Sequence, residues 1–180
     1  MKKYFWIIIF CVVSYGLHWT WNSMDFTENI KIKNKFENPI VIQNPIINSF
    51  KNNYRNIHII AKKAELFQKQ NITNLYIVEG EVFSAQEKIP SSWFRAEMGI
   101  LNQNKRILVL QKDVMIELQD GKKIVSEELT YNESTGIIST DSAVIITDID
   151  ASKILGSALQ YDMNKDRLQI SDPKMSLIIN

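Results

Sequence analysis

The stretch "LTYNESTGIISTDSAVII", from Leu129 to Ile146, joins two apolar runs through a polar turn that ends in Gly136. Isoleucine, valine and tyrosine on either side of such a turn favour a β-hairpin. The stretch holds no histidine, no cysteine and no nucleophile with a base beside it. A similar phrase returns thirty residues later as "LQYDMNKDRLQISDPKMSLII", from Leu159 to Ile179. Aligning the units on their second strands puts Val82, Val114, Val144 and Met175 in register, at spacings of 32, 30 and 31. Leu101, Tyr131 and Tyr161 recur every thirty residues. One hairpin cannot bury its own apolar face, so such units must stack and share a core. Helical arrays with a similar period need long amphipathic helices, which this sequence lacks. The predicted fold is all-β: antiparallel hairpins in an open stack, with unpaired strands at both ends.

The rest of the chain fits this reading. "NLYIVEGEVF" (74–83), "RILVLQKDVMIEL" (106–118), "GIISTDSAVIIT" (136–147) and "RLQISDPKMSLII" (167–179) are rich in strand-forming residues and bounded by turn residues. Leu108, Leu110, Val114, Ile116 and Leu118 share one parity, with Lys112 the exception, as expected of a strand with one buried face. Only "AKKAELFQKQ" (61–70) competes as a short helix, and it has no caps. Asn-Pro pairs at 38–39 and 44–45 favour extended backbone but no place in a central ladder, so an edge strand is expected there.

Composition narrows the function classes. The chain has 180 residues and a formal net charge of +1, with 21 basic and 20 acidic side chains. It carries no basic stripe, so nucleic acid is not an expected partner. Cys11 is the single cysteine, which rules out an intramolecular disulfide, and with His18 and His58 it makes no zinc set. His58, between Ile57 and Ile59, reads as a solvent-facing strand residue. The carboxylate pairs Glu79/Glu81 and Asp148/Asp150 could each share a proton or cation on a strand. They read more simply as a solvated face and a loop, and Asp113 and Asp141 as turn formers. No serine has a base, and no glycine loop could cradle phosphate. No catalytic residue, metal or cofactor is expected.

The N-terminus reads differently. "MKKYFWIIIFCVVSYGLHWTW" carries no charge from Tyr4 to Trp21. As a helix that run spans about 27 Å, close to the ~30 Å of a bilayer core. Aromatics at both ends and Lys2 and Lys3 before it predict a single membrane anchor with its N-terminus in the cytoplasm. Trp19 and Trp21 make a poor signal-peptidase site, and Phe10 before Cys11 argues against a lipoprotein signal. The predicted organisation is an anchor over 1–22, a tether and first edge strand over 23–50, and a β domain over 51–180. The interior of that domain is either a slot suited to hydrocarbon chains or a close-packed sandwich core.

The anchor, "YRNIHIIAKKAELF" (54–67), "IPSSWFRAEMGILNQNKRILVLQKDVMIE" (89–117), "KIVSEELTYNESTGIISTDSAVII" (123–146) and "ASKILGSALQYDMNKDRLQI" (151–170) together resemble the LptC family of lipopolysaccharide export proteins. The resemblance implies a twisted open β-jellyroll held in the periplasm on one inner-membrane helix. Such a domain accepts lipopolysaccharide from an ABC extractor, LptF and LptG with the ATPase LptB. It passes the lipid to the periplasmic bridge protein LptA, stacked on its C-terminal edge. The resemblance assigns Tyr76 and Val78 to the acyl-chain groove and matches Gly156 to a family glycine that precedes a late strand. Thr147 and the segment "LVLQKDV" depart from the family by lacking glycines common there. Strand parity extends the expected lipid-lining set to Leu108, Leu110, Val114, Ile116, Ile146, Tyr161 and Leu177. Gly156, Leu168, Ile170, Met175 and Ile179 form the expected docking edge for LptA, by strand addition. The alternative is a membrane-anchored adaptor with a solid β core that binds only protein.

Overall fold

A computed structural model describes residues 38–51, 54–83 and 90–176. The expected anchor, Leu177 and Ile179 lie outside the described residues. Thirteen strands follow in order: β1 (Ile40–Gln43), β2 (Ile46–Lys51), β3 (Tyr54–Phe67), β4 (Ile72–Phe83), β5 (Pro90–Asn102), β6 (Ile107–Leu118), β7 (Lys123–Asn132), β8 (Ile137–Thr140), β9 (Val144–Thr147), β10 (Lys153–Gly156), β11 (Ala158–Asp162), β12 (Arg167–Ser171) and β13 (Lys174–Ser176). Every pairing among them is antiparallel. The compact unit starts at Asn38, so the proline-punctuated segment forms part of the sheet itself. Residues 61–67, the one helical competitor, complete β3.

A line of broken pairing divides the sheet into two leaves. Leaf 1 runs β1, β3, β4, β5, β6, β7, β8, β11, β12. Leaf 2 uses the other ends of β3 to β7, bordered by β2 on one side and by β9, β10 and β13 on the other. At the line, Lys62 faces Ile77 without ladder pairing, Glu97 is skipped, and Lys112 and Asp113 bulge opposite Glu127. The chain breaks outright around Asn44-Pro45, Ser142, Ser157 and Asp172. From Glu97 onward the line is crossed every fifteen residues, at Glu97, Lys112, Glu127, Ser142, Ser157 and Asp172. The thirty-residue repeat is two such crossings. For this reason "GIISTDSAVIIT" is two strands, β8 in leaf 1 and β9 in leaf 2, rather than one.

Left-handed backbone marks the line. Asn44, Ile77, Lys112, Asp113 and Asp172 have φ between 48° and 64°. Each bulge or kink turns the strand so that one end faces into leaf 1 and the other into leaf 2. Four further left-handed residues, Asn71, Arg106, Gly136 and Asp166, close the hairpins of leaf 1. These turns are zipped to one another: Gln103, Glu133 and Met163 donate backbone hydrogen bonds to Asn71, Arg106 and Gly136 at 2.9–3.1 Å. The Asn102, Asn132 and Asp162 side chains accept from backbone amides within their own turns. Their thirty-residue spacing is the repeat seen at its turns.

Inward rows of side chains cross the ladders. In leaf 1, Leu101, Leu108, Tyr131, Ile138, Tyr161 and Leu168 stand opposite one another in succession. The thirty-residue alignment of Leu101, Tyr131 and Tyr161 is therefore a single row. In leaf 2, Ile59, Gly80, Phe94, Ile116, Ile124, Ile146, Ile154 and Met175 do the same. The alignment of Val82 with Val114 does not hold in the same way. Val82 pairs with Ser92, several residues from the line, whereas Val114 lies beside it with Val144. Twenty residues rather than fifteen separate the crossings at Ile77 and Glu97, which displaces that unit. At Gly80, a Cβ would lie 2.4 Å from the Phe94 ring and 2.5 Å from the His58 carbonyl oxygen.

Two outcomes follow from this backbone. Ile77 combines a β-branched side chain, φ +52° and 57 % exposure. Ile77→Asn should therefore raise stability by about 1 kcal/mol, by relieving left-handed strain, read as an upward shift of the thermal midpoint. Gly80→Ala should lower stability by about 1–3 kcal/mol, because the His58 backbone cannot move aside as a flexible side chain would. Chemical unfolding of both variants beside wild type measures the two effects.

Candidate functional site

The inner faces of the leaves form one apolar core in which Ile59, Ala64, Leu75, Val114 and Ile124 have no exposed surface. Of the expected lining residues, Val78, Leu108, Leu110, Val114, Ile116 and Ile146 all point into it, each at most 3 % exposed. Tyr161 packs against the same core half-buried, its hydroxyl donating to Asp166 at 2.9 Å. Burial first, and then Asp166, push its pKa upward.

Tyr76 takes the opposite face. Its hydroxyl donates to Glu65 at 2.9 Å, and the Lys63 ammonium lies 5.1 Å from its ring centre. The physical reason is the left-handed kink at Ile77, which lets Leu75 and Val78 both face inward and breaks the two-residue period that would have paired Tyr76 with Val78. Lys63, then Tyr76, hold the Glu65 carboxylate below its ordinary pKa.

Among the described residues, the centre of the interior is packed with side chains, and two cavities lie toward its ends. One cavity of about 310 Å³ opens between β2, the start of β3 and the second and third turns of leaf 1, lined by Ile47, Ile57, Leu101, Leu108, Tyr131 and polar groups at its rim. A smaller one, about 160 Å³, lies at the C-terminal end between Ile146, Ile154, Leu168 and Met175, with Lys122, Asp148 and Asp150 beside them.

The expected docking residues lie on the last strands. Leu168 and Ile170 on β12 pack half-buried against the core, and Met175 on β13 is 62 % exposed. Among the described residues, β12 and β13 each have a neighbour on one side only, as do β1 and β2 at the other end. Gly156 ends β10 where β12 crosses closely: a Cβ there would lie 2.3 Å from Ile170 Cγ2. Close approach, rather than a left-handed turn, requires this glycine.

Glu79 and Glu81 are on the outer face of leaf 2, opposite Arg95 and Trp93. Asp148 and Asp150 accept backbone hydrogen bonds in the β9–β10 turn, from Ile149 at 2.7 Å and Ser152 at 2.9 Å. His58 Nδ1 lies 2.8 Å from Asn48 Oδ1 on the outer face. Among the described residues, no three carboxylate, histidine or cysteine side chains gather as a metal site.

One polar cluster was not foreseen from the sequence. At the mouth of the larger cavity, Ser49 of β2 donates to Glu133 Oε1 at 2.6 Å, and Arg106 Nη2 donates to the same oxygen at 2.9 Å. Lys51 Nζ reaches the Ser134 carbonyl at 3.4 Å. Asn56 is buried beside Tyr131 and Glu133. Burial raises the Glu133 pKa, but Arg106, Ser49 and Asn56 outweigh it and leave it lowered. Burial is also the main cause that pushes the Tyr131 hydroxyl up to about 12. Eighty-four residues separate Ser49 from Glu133, which no local sequence signal could connect.

The chain superposes on LptH, the LptA-homologous periplasmic component of the lipopolysaccharide transport device of Pseudomonas aeruginosa, with a TM-score of 0.55. The two are 14 % identical, and the match covers 69 % of this chain and 94 % of the other. No curated protein matches the sequence. A family model described as "Lipopolysaccharide-assembly, LptC-related" matches residues 5–173, and the chain belongs to this family. Membership and fold together support a role in lipopolysaccharide transport.

A folded-state pKa below the ordinary 4.5 means that Glu133 stabilises the fold above that value and loses this contribution as pH falls through the lowered one. Wild type should be more stable than Glu133→Gln near neutral pH, with the difference shrinking below about pH 4. Thermal unfolding of both proteins from about pH 7 to about pH 3 reads this difference directly.

Proposed function

We propose that this protein is an inner-membrane-anchored carrier that receives lipopolysaccharide acyl chains between its two leaves and passes them along the periplasm. It is a conduit and not an enzyme. The observation that carries the reading is the continuous inward apolar surface of both leaves, which ends at unpaired strands on either side. Burying each methylene contributes about 0.8 kcal/mol, so an apolar path removes most of the barrier that water sets against acyl chains. Because side chains fill the centre, lipid enters by parting the leaves, with the bulged line as the flexible joint. The energy for directed movement comes from an ABC extractor of the LptF, LptG and LptB type, against which the N-terminal helix packs.

The C-terminal strands β12 and β13 supply the docking edge for an LptA-type bridge protein through backbone pairing. Leu168, Ile170 and Met175 there extend the apolar path toward the partner. Deleting residues 168–180 should abolish co-purification with the bridge protein while the extractor still co-purifies. Loss of both, or of neither, would move the interface elsewhere.

A second reading is favoured by the filled centre: a scaffold with a solid core that joins two protein partners and carries no lipid. Photo-reactive residues decide between them. Probes at the inward, half-buried positions Ile47 and Ile154 should capture lipopolysaccharide in cells, and a probe at outward Tyr76 should not. Capture at Tyr76 alone, or at none of the three, would favour the scaffold.

A further inference from the structure

We infer that Ser49 and Glu133 form a clasp that holds the leaves shut over the larger cavity, and that its release admits the acyl chain. This rests on the carrier reading above. Among the described residues β2 pairs with β3 alone, and that pairing is irregular between Ser49 and Phe50. A strand held on one side and disturbed near its end is a part of leaf 2 that can lift. The contacts of Ser49 and Lys51 with Glu133 and Ser134 tie it across the mouth to the third turn of leaf 1.

The clasp is built to be specific and releasable. Glu133 is fixed from its own leaf by Arg106, whose Nε also approaches Oε2 at 3.5 Å. The carboxylate thus stays in place whether or not Ser49 is bound. Across the gap, the Ser49 hydroxyl and the extended Lys51 ammonium reach from β2, beside Asn56 of β3. Beneath them the cavity is walled by Ile47, Ile57, Leu101, Leu108 and Tyr131, an apolar floor under a rim of Asn48, Gln103, Arg106 and Glu133. Lifting β2 exposes Asn56 and Ser49 to water while it opens the apolar wall to a chain.

Ser49 and Glu133 are therefore positioning residues for lipid uptake, and their test separates this role from ordinary stabilisation. Full-length protein in detergent is compared as wild type, Ser49→Ala, Glu133→Gln, and a Ser49→Cys/Glu133→Cys form in a Cys11→Ser background. The last is bridged by a short bis-maleimide. Amide exchange along Ile46–Lys51 and the rate of uptake of a fluorescent fatty acyl chain are measured on each. The single variants should exchange at least several-fold faster in β2 and take up the probe several-fold faster than wild type, though they are less stable. The bridged form should take up little, and its unbridged parent should load at least as fast as wild type. Unchanged exchange and unchanged uptake in the single variants would overturn the clasp while leaving the carrier reading intact. Faster exchange with no uptake by any form would sink the carrier reading, and the gating role with it, and leave the clasp as a structural tie.

Discussion

The architecture depends on a line of broken pairing that crosses the strands. A flat sheet of strands twelve to fourteen residues long would expose one whole face to water. Bending each strand at one place folds the sheet onto itself and gives each apolar row a partner. The bend requires left-handed backbone at Ile77, Lys112 and Asp113, which costs conformational energy. Burial of rows such as Ile59–Phe94–Ile116–Ile124–Ile146 offsets that cost. Part of this strain lies where the leaves meet, which is where movement between them must occur.

Packing and transport make opposite demands on this interior. A core with Leu75, Val114 and Ile124 sealed from solvent stabilises the fold but leaves no room for a guest. Space is kept at the two ends, near the strands that lack partners. In the carrier reading a lipid meets apolar surface first at an end, and the centre rearranges afterwards. The polar tie across the N-terminal mouth makes the closed form the resting state.

The repeat and the strand alternation were legible in the sequence because both follow from backbone periodicity. The row Leu101–Tyr131–Tyr161 emerged intact, since each member occupies the same place in a hairpin of constant length. Tyr76 went to the wrong face because nothing in "LYIVEG" announces that an isoleucine adopts φ +52°. The division of "GIISTDSAVIIT" between leaves was hidden for a related reason: its Thr-Asp-Ser break reads as a turn within one unit. The Ser49–Glu133 contact lay beyond reach because it joins side chains brought together only when both leaves are complete. Gly156 showed itself as a place of close approach, but the element that crosses it is visible only in three dimensions.

The fifteen-residue interval between crossings has a consequence for how such a chain can change length. Inserting or removing thirty residues adds or deletes one whole hairpin, and each later side chain keeps its leaf, its direction and its inward or outward sense. A gain or loss of a single residue within a strand reverses that sense up to the next bulge. Growth by duplication is therefore tolerated, whereas small indels are confined to the turns, and domains of different reach can share one cross-section.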